Sequence, residues 1–600
     1  MVQQIATRIN DCAIKLANVN GTGSASANSL LMRSVFRMGI PVSGKNLFPS
    51  NIQGLPTWYE IRINRDGHTS RALDYDLVVA MNAQTYAQDI REVREGGYVL
   101  YDSSWPLDPD LNRSDVSFLG IPLARMCNEH FRSPRERILM KNISYAGALA
   151  AALNIELDVI SGVLDETYAG KEKLRASNAL ALQLGYDYAL DHFECPLPFS
   201  LERMDATGDK ILIDGNTATA LGCLYAGATV AAWYPITPAT SVMDNFTALC
   251  KKYRRDPESG ECNYLIIQAE DELAALAIVV GASWNGARAF TSTAGPGISL
   301  MNELLGLAYY TEIPAVVVDV QRVGPSTGMP TRTQQGDILA CAYASHGDTK
   351  HILLFPSNPA ECFDFAVRAF DLAERFQTPV IMLSDLDIGM NDWVVPRLTW
   401  DEGYRPDRGR VLSRDDLDQV ARFFRYSDDD ENYVTPRTLP GVDARGAYFT
   451  RGSGHNKLGG YTEDPAQYQE VIDRLARKHG AAAAFVPEPI IEERGTRIGV
   501  VTIGSGDLAV REAVDLLDRS GVRTDLMRIR GFPFSADVQG FLERHEINYV
   551  VEQNRDGQLR SLLVLETCTP KDKLRSVLAY GGYPLSAFQV VEGIMKGLEA

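Results

Sequence analysis

Residues 264–297, YLIIQAEDELAALAIVVGASWNGARAFTSTAGPG, decide the fold. The apolar run Tyr264-Leu265-Ile266-Ile267 has the length of a strand, and residues 271–284 then carry the apolar pattern of a helix. The small-residue turn Thr291-Ser292-Thr293-Ala294-Gly295-Pro296-Gly297 opens the next helix. A strand feeding a helix is the repeating unit of a parallel α/β sheet. The alternation continues in the strands Ala315-Val316-Val317-Val318-Asp319 and Val380-Ile381-Met382-Leu383 and in a helix over 359–376. A parallel sheet is therefore predicted within residues 210–400.

Working outward, the N-terminal part repeats the theme. An apolar-alternating run over 13–19 leads through Asn20-Gly21-Thr22-Gly23-Ser24 into a helix-like stretch over 25–38, the start of a Rossmann-like unit. Strands at 77–81 and 97–101 and helices at 141–153 and 172–188 fill this block, and the two prolines near 192–200 read as a linker. After residue 401 the chain turns polar, with the acidic run Asp428-Asp429-Asp430-Glu431 expected in a solvated loop and a glycine-rich stretch over 452–460. A further α/β block begins with a strand at 498–503, the turn Gly504-Ser505-Gly506, a helix over 508–520, and strands at 524–529 and 549–551. The fold class is α/β and multidomain.

Composition excludes several functions. Lys and Arg total 59 against 77 for Asp and Glu, a formal charge of −18 over 600 residues, so the basic footprint of a nucleic-acid binder is missing. The nine cysteines are scattered without a CxxC pair, which argues against a disulfide framework, a zinc ribbon or a ferredoxin-type cluster and for reduced thiols in a cytoplasmic protein. The N-terminal residues carry charges and lack the apolar core of a signal peptide. Residues 215–243 are uncharged and long enough to span a bilayer, but the YPITP turn and several glycines divide them into a helix, a strand and a turn. No membrane span is expected.

Motifs are unequal in weight. Gly21-Thr22-Gly23 could present backbone amides to a phosphate, yet Ser26 stands where a dinucleotide fingerprint wants its third glycine. Gly504-Ser505-Gly506-Asp507 reads as a plain strand-to-helix turn. His346 and His351 are five apart and do not share a helix face, so no metal site is expected. More specific are four segments: Tyr234-Pro235-Ile236-Thr237-Pro238, Gln268-Ala269-Glu270-Asp271-Glu272, the Thr291 turn, and residues 319–337, DVQRVGPSTGMPTRTQQGD. Each follows a strand or opens a helix, so all can converge on the carboxyl edge of one sheet.

Taken together these segments resemble the alpha subunit of 2-oxoacid:ferredoxin oxidoreductases, in the form with a gamma domain fused in front, as in 2-oxoglutarate:ferredoxin oxidoreductase. The resemblance spans essentially the whole chain. It implies a gamma domain over 1–195, a linker over 196–209, a pyrimidine-binding thiamine diphosphate domain over 210–400, a connecting region over 401–495 and a transketolase C-terminal-like domain over 496–600. It implies coenzyme A-dependent oxidative decarboxylation of a 2-oxoacid, foremost 2-oxoglutarate to succinyl-coenzyme A, with pyruvate or a branched-chain 2-oxoacid as alternatives.

The roles carried over are specific. Glu270 is expected to hydrogen-bond the pyrimidine nitrogen of thiamine diphosphate, its carboxyl held at a raised pKa by the end of a buried strand. Tyr234, Pro235 and Ile236 would contact the cofactor, while Arg322, Thr237 and Thr331 would bind the substrate, the arginine as a planar fork for its carboxylate. Arg332 is available for a second carboxylate. Coenzyme A would lie near Gly21, Thr22 and Gly23. Gly208-Asp209, Gly336-Asp337 and Gly506-Asp507 do not continue as the GDG that usually holds Mg and the diphosphate. With dispersed cysteines, this points to a beta subunit carrying Mg2+ and a [4Fe-4S] cluster, to ferredoxin docking on that partner, and to a dimer of alpha-beta heterodimers. A non-catalytic assembly or regulatory subunit would be expected to have lost Glu270 or Arg322, and both are present.

Overall fold

The computed structural model describes residues 8–49, 54–428 and 432–599; Asp429, Asp430 and Glu431 of the acidic run lie outside them. The chain divides into two compact units, Met1–Leu212 with Asn391–Arg397, and Ile213–Met390 with Leu398–Ala600.

In the first unit a six-stranded sheet runs in the order Val42–Leu47, Pro56–Asn64, Asp11–Val19, Tyr75–Ala80, Val93–Asp102, Ser117–Ile121. The last four strands are mutually parallel and the first two are antiparallel additions. Asp11–Val19 is buried along nearly its whole length, the signature of a strand covered on both faces. The helix Pro134–Leu153 begins seven residues before the expected 141. Its first turns, PRERILM, are charged and partly exposed, but Ser133 accepts a hydrogen bond from the Glu136 N–H and Pro134 takes the first position. This helix and Glu172–His192 pack backbone against backbone: a Cβ at Gly147 would stand 2.0 Å from the Leu182 oxygen, and one at Gly185 1.7 Å from that of Ser144.

Residues 196–209, expected as a linker, are sewn into this unit. Leu197, Leu201, Met204 and Ala206 donate backbone N–H groups to Ala152, Leu153, Met38 and Gly39. The physical reason is local: Leu197, Phe199 and Leu201 are apolar and buried, and the N–H donors complete carbonyls at helix ends.

The second unit holds a seven-stranded sheet ordered Leu265–Gln268, Val230–Trp233, Ala289–Thr293, Ala315–Gln321, Pro379–Asp385, Ile352–Leu354, Gly531–Phe532. Every pairing is parallel except the last. A five-stranded sheet follows, Ile490–Glu492, Asp525–Arg528, Ile498–Thr502, Ile547–Glu552, Leu574–Leu578, parallel apart from its first strand. One apolar core joins the two sheets, with Val317, Leu353 and Ile381 of the first packed in a cluster with Val501, Met527 and Val550 of the second. Between them the polar region contributes the helix Pro465–Ala481, whose Arg474 and Lys478 reach under the larger sheet to the buried Glu312.

Residues 215–243 form the helix Gly215–Tyr225, the strand Val230–Trp233 and the start of the helix Thr240–Tyr253. Among the described residues no helix is long and apolar enough to cross a membrane.

Candidate active site

Four adjacent parallel strands deliver the four segments to one sheet edge. Val230–Trp233 is followed by Tyr234–Pro238, Leu265–Gln268 by Ala269–Glu272, Ala289–Thr293 by the Gly295 turn, and Ala315–Gln321 by Arg322. Parallel pairing puts all four exits on the carboxyl side, where open α/β sheets bind ligands.

Arg322 is 8% exposed. Its Nη1 donates to the Thr237 carbonyl at 2.6 Å, while its Nε is buried without an acceptor among the described residues. Burial lowers its pKa, against the attraction of Asp337 and Glu272. A desolvated guanidinium with an unused N–H is a receptor for a planar anion. Thr237 thus meets the arginine through its carbonyl rather than its hydroxyl.

The residues after Arg322 fold back on themselves. The Val323 N–H donates to the Arg332 oxygen at 3.0 Å, and the Met329 N–H to the Val323 oxygen at 3.1 Å. Thr331 returns to the base of this loop and is buried. Arg332 turns its Nη1 onto the Thr331 carbonyl at 2.8 Å and hydroxyl at 3.3 Å, and its guanidinium lies 5.9 Å from the Tyr583 ring. Tyr234 and Pro235 are exposed and Ile236 is half-buried.

The burial expected at Glu270 is found two positions later. Leu265–Gln268 is the edge strand of the sheet, with Leu265 53% exposed, and Glu270 itself is exposed. An edge strand leaves the carboxyl beyond it in water in the chain alone, so burial at 270 would come only from whatever covers that edge. Asp271 caps the helix Glu272–Trp284, its carboxylate accepting from the Ala274 N–H at 2.7 Å. Glu272, in the first turn, is 7% exposed and faces Arg322 electrostatically. Gly297 makes room for it: a Cβ there would stand 2.9 Å from Glu272 Cγ and 1.9 Å from Thr293 Oγ1. Asp271 and Glu272 are thus the acids that the positive end of a helix dipole favours.

Residues 221–399 match the model of the thiamine-diphosphate-binding region of pyruvate flavodoxin/ferredoxin oxidoreductases, and residues 13–188 match a second model for pyruvate ferredoxin/flavodoxin oxidoreductase. The chain is 30% identical to 2-oxoacid:ferredoxin oxidoreductase 2, subunit alpha, of Aeropyrum pernix, over 98% of both. It belongs to this family of alpha subunits. A shorter relative, the 2-oxoglutarate synthase subunit KorA of Methanothermobacter thermautotrophicus, is 34% identical over 58% of this chain and 88% of its own. A solved 2-oxoglutarate:ferredoxin oxidoreductase from Magnetococcus marinus, with 2-oxoglutarate, coenzyme A and succinyl-CoA bound, superposes with a TM-score of 0.87 at 28% identity, covering 98% of this chain and 99% of that one. The chain is thus one component of a multi-subunit oxidoreductase acting on a 2-oxoacid with ferredoxin as acceptor.

In this alpha subunit the Gly21 turn lines a cleft of about 640 Å³ with Asn20, Ser24, Arg135 and Leu139. Gly21 and Gly23 take φ of 89° and 81°, the left-handed region open to glycine. Among the described residues no side chain caps the helix Ser24–Arg37 that starts there, and its first residues line the cleft beside Arg135. The Thr22 hydroxyl turns inward to the Val19 carbonyl at 2.7 Å.

Proposed function

We propose that this chain, with a beta subunit, carries out the coenzyme A-dependent oxidative decarboxylation of 2-oxoglutarate to succinyl-coenzyme A. The observation that carries the reading is Arg322, buried at the carboxyl edge of the sheet with its Nε unused. Support for the substrate comes from the solved relative with 2-oxoglutarate and coenzyme A bound, similar along 98% of this chain.

The residues present fit thiamine diphosphate. Glu270, on the sheet edge that a partner would cover, would share a proton with the pyrimidine nitrogen, and Tyr234, Pro235 and Ile236 would flank the ring. The cofactor, when bound, accepts the electrons released as the 2-oxoacid loses carbon dioxide. Arg322 holds the substrate carboxylate through its free N–H, and Thr331 sits at the base of the same loop. Arg332 is the nearest described cation on that loop for a distal carboxylate. The amides of the helix Ser24–Arg37 and Arg135 would take coenzyme A phosphates at Gly21, Thr22 and Gly23.

The partner reading rests on chemistry this chain lacks the motifs for. A beta subunit would bring Mg2+ with the diphosphate and a [4Fe-4S] cluster, and ferredoxin would take the electron pair there. The exposed edge at Leu265 and Glu270 is a surface such a partner would cover, in a cytoplasmic dimer of alpha-beta heterodimers. The test is a substrate panel with a redox dye on the co-purified complex. Fastest turnover with 2-oxoglutarate and strict need for coenzyme A are expected; preference for pyruvate or a branched-chain 2-oxoacid would overturn the substrate, and no turnover with any 2-oxoacid the catalytic reading.

A further inference from the structure

Asp319 and Asp337 stand at the two ends of the segment that contains Arg322. Asp319 lies in the strand Ala315–Gln321 and is fully buried; Asp337 immediately precedes the helix Ile338–Ala342. Cys341 ties the two together, its N–H donating to the Asp337 carbonyl at 2.8 Å and its thiol to Asp319 Oδ2 at 3.7 Å, and the two carboxyls lie within reach of each other. Yet Asp319 Oδ1 and Asp337 Oδ2 are both buried with no donor among the described residues. Two carboxylates only accept, so neither can satisfy the other; a single proton turns one into a donor and satisfies both.

The surroundings are built for such a pair. A Cβ at Gly295 would stand 2.7 Å and 2.8 Å from the two Asp337 oxygens, so only glycine leaves them space. The Asp337 N–H donates to Gln321 Oε1 at 3.1 Å, and Gln321 Nε2 to the Ser384 carbonyl at 3.1 Å, which fixes the backbone of the pair. The other ionisable groups facing it are the Cys341 thiol, 3.7 Å from Asp319 Oδ2, and Arg322, which attracts Asp337 and is itself faced by Glu272. Burial and the neighbouring charge of Asp337 raise Asp319, and burial raises Asp337 against the pull of Arg322.

We propose that Asp319 and Asp337 hold one proton between them and act as a positioning pair for Arg322, latching the base of the 322–337 loop. This rests on the reading of Arg322 as the carboxylate-binding residue. With the proton in place one negative charge faces the guanidinium and the base of the loop is closed. When it leaves, two like charges repel in a desolvated site, the base parts, and Arg322 is drawn toward Asp337 and away from substrate.

The test uses the complex co-purified with its partner, as wild type, Asp319→Asn, Asp337→Asn and Arg322→Ala. Infrared difference spectra at neutral pH should show the carbonyl stretch of a protonated carboxylic acid in the wild type that both Asn variants lose. KM for the 2-oxoacid should rise about tenfold from about pH 6 to about pH 9, the range in which buried carboxyls titrate, with a smaller change in kcat. An Asn amide donates to the remaining carboxylate at every pH, so both Asn variants should lose that rise and keep a low KM. Absence of the acid band in the wild type overturns the shared proton. The same pH profile of KM in wild type and Asn variants overturns the positioning role. Unchanged kcat/KM in Arg322→Ala overturns the substrate reading instead, and leaves the infrared result to decide the proton.

Discussion

Glu270 and Glu272 are two residues apart, yet one is exposed in the chain alone and the other buried, within reach of the Arg322 charge. Sharing a proton with a ring nitrogen needs a desolvated carboxyl. Glu270 gains that once a partner covers its edge, so Glu270→Gln should slow proton–deuterium exchange of bound thiamine diphosphate by about 10² to 10⁴ in the assembled enzyme, the usual range for one acid–base group. Glu272→Gln should change it less, and the reverse order would move the role to 272. Arg322→Ala should lower kcat/KM by roughly 10- to 150-fold, from about 1.5–3 kcal/mol for hydrogen bonds to a charged group. Arg322→Lys keeps the charge but loses the fork and should recover only part of it, in steady-state rates measured across several 2-oxoacids. Arg322 was legible because an arginine stands after a strand and before a Gly-Pro turn. Glu272 was not: three acids sit together in QAEDE, and which is buried depends on the helix starting at Asp271. Asp319 and Asp337 were quoted but unread, because eighteen positions of separation hide a contact made by a loop that doubles back.

At the level of elements, the start of the helix Gly295–Thr311 is a tight joint. In Gly297→Ala the new methyl would overlap Thr293 Oγ1 and press on Glu272. The expected result is weaker thiamine diphosphate retention after desalting and a lower melting temperature; wild-type retention would show that the turn relaxes. The helix Pro465–Ala481 depends on charge instead. Burial alone would raise the Glu312 carboxyl, but Arg474, Lys478 and Arg425 outweigh it and hold it below the usual carboxylate range. A lowered pKa gives stability that is present above the unfolded pKa of about 4.3 and lost as pH falls below it. Glu312→Gln strands buried cations and should cost about 3–5 kcal/mol, read by thermal melts that also lose their acid sensitivity. The parallel strands were legible as apolar runs, with boundaries shifted by a few residues. The helix Pro134–Leu153 was read seven residues short because its first turns are charged and only the caps mark them. The strand Gly531–Phe532 is two residues long and carries no periodic signal.

For the whole molecule, the sequence motifs pointed to a chain that works only in company. Purified alone it should be colourless and without turnover; co-expressed with a beta subunit it should be brown and active. Iron-dependent absorbance and turnover from the isolated chain would refute the two-subunit reading. The α/β class and the convergence of four segments on one sheet edge could be read from strand-to-helix order alone. The packing could not: that residues 391–397 return to the first unit, and that the two later sheets share one core, depends on contacts between distant segments.

Gly531–Phe532 pairs antiparallel with Ile352–Leu354, the last strand of the larger sheet on that side. Without it, Ile352–Leu354 would present bare N–H and C=O groups at the rim of an apolar core, a template on which another molecule's strand can nucleate. A nonsense codon or a protease cut shortly before residue 531 would thus do more than remove a domain. The shortened product would be expected to precipitate where the finished chain stays dispersed, because only the finished chain has that edge capped.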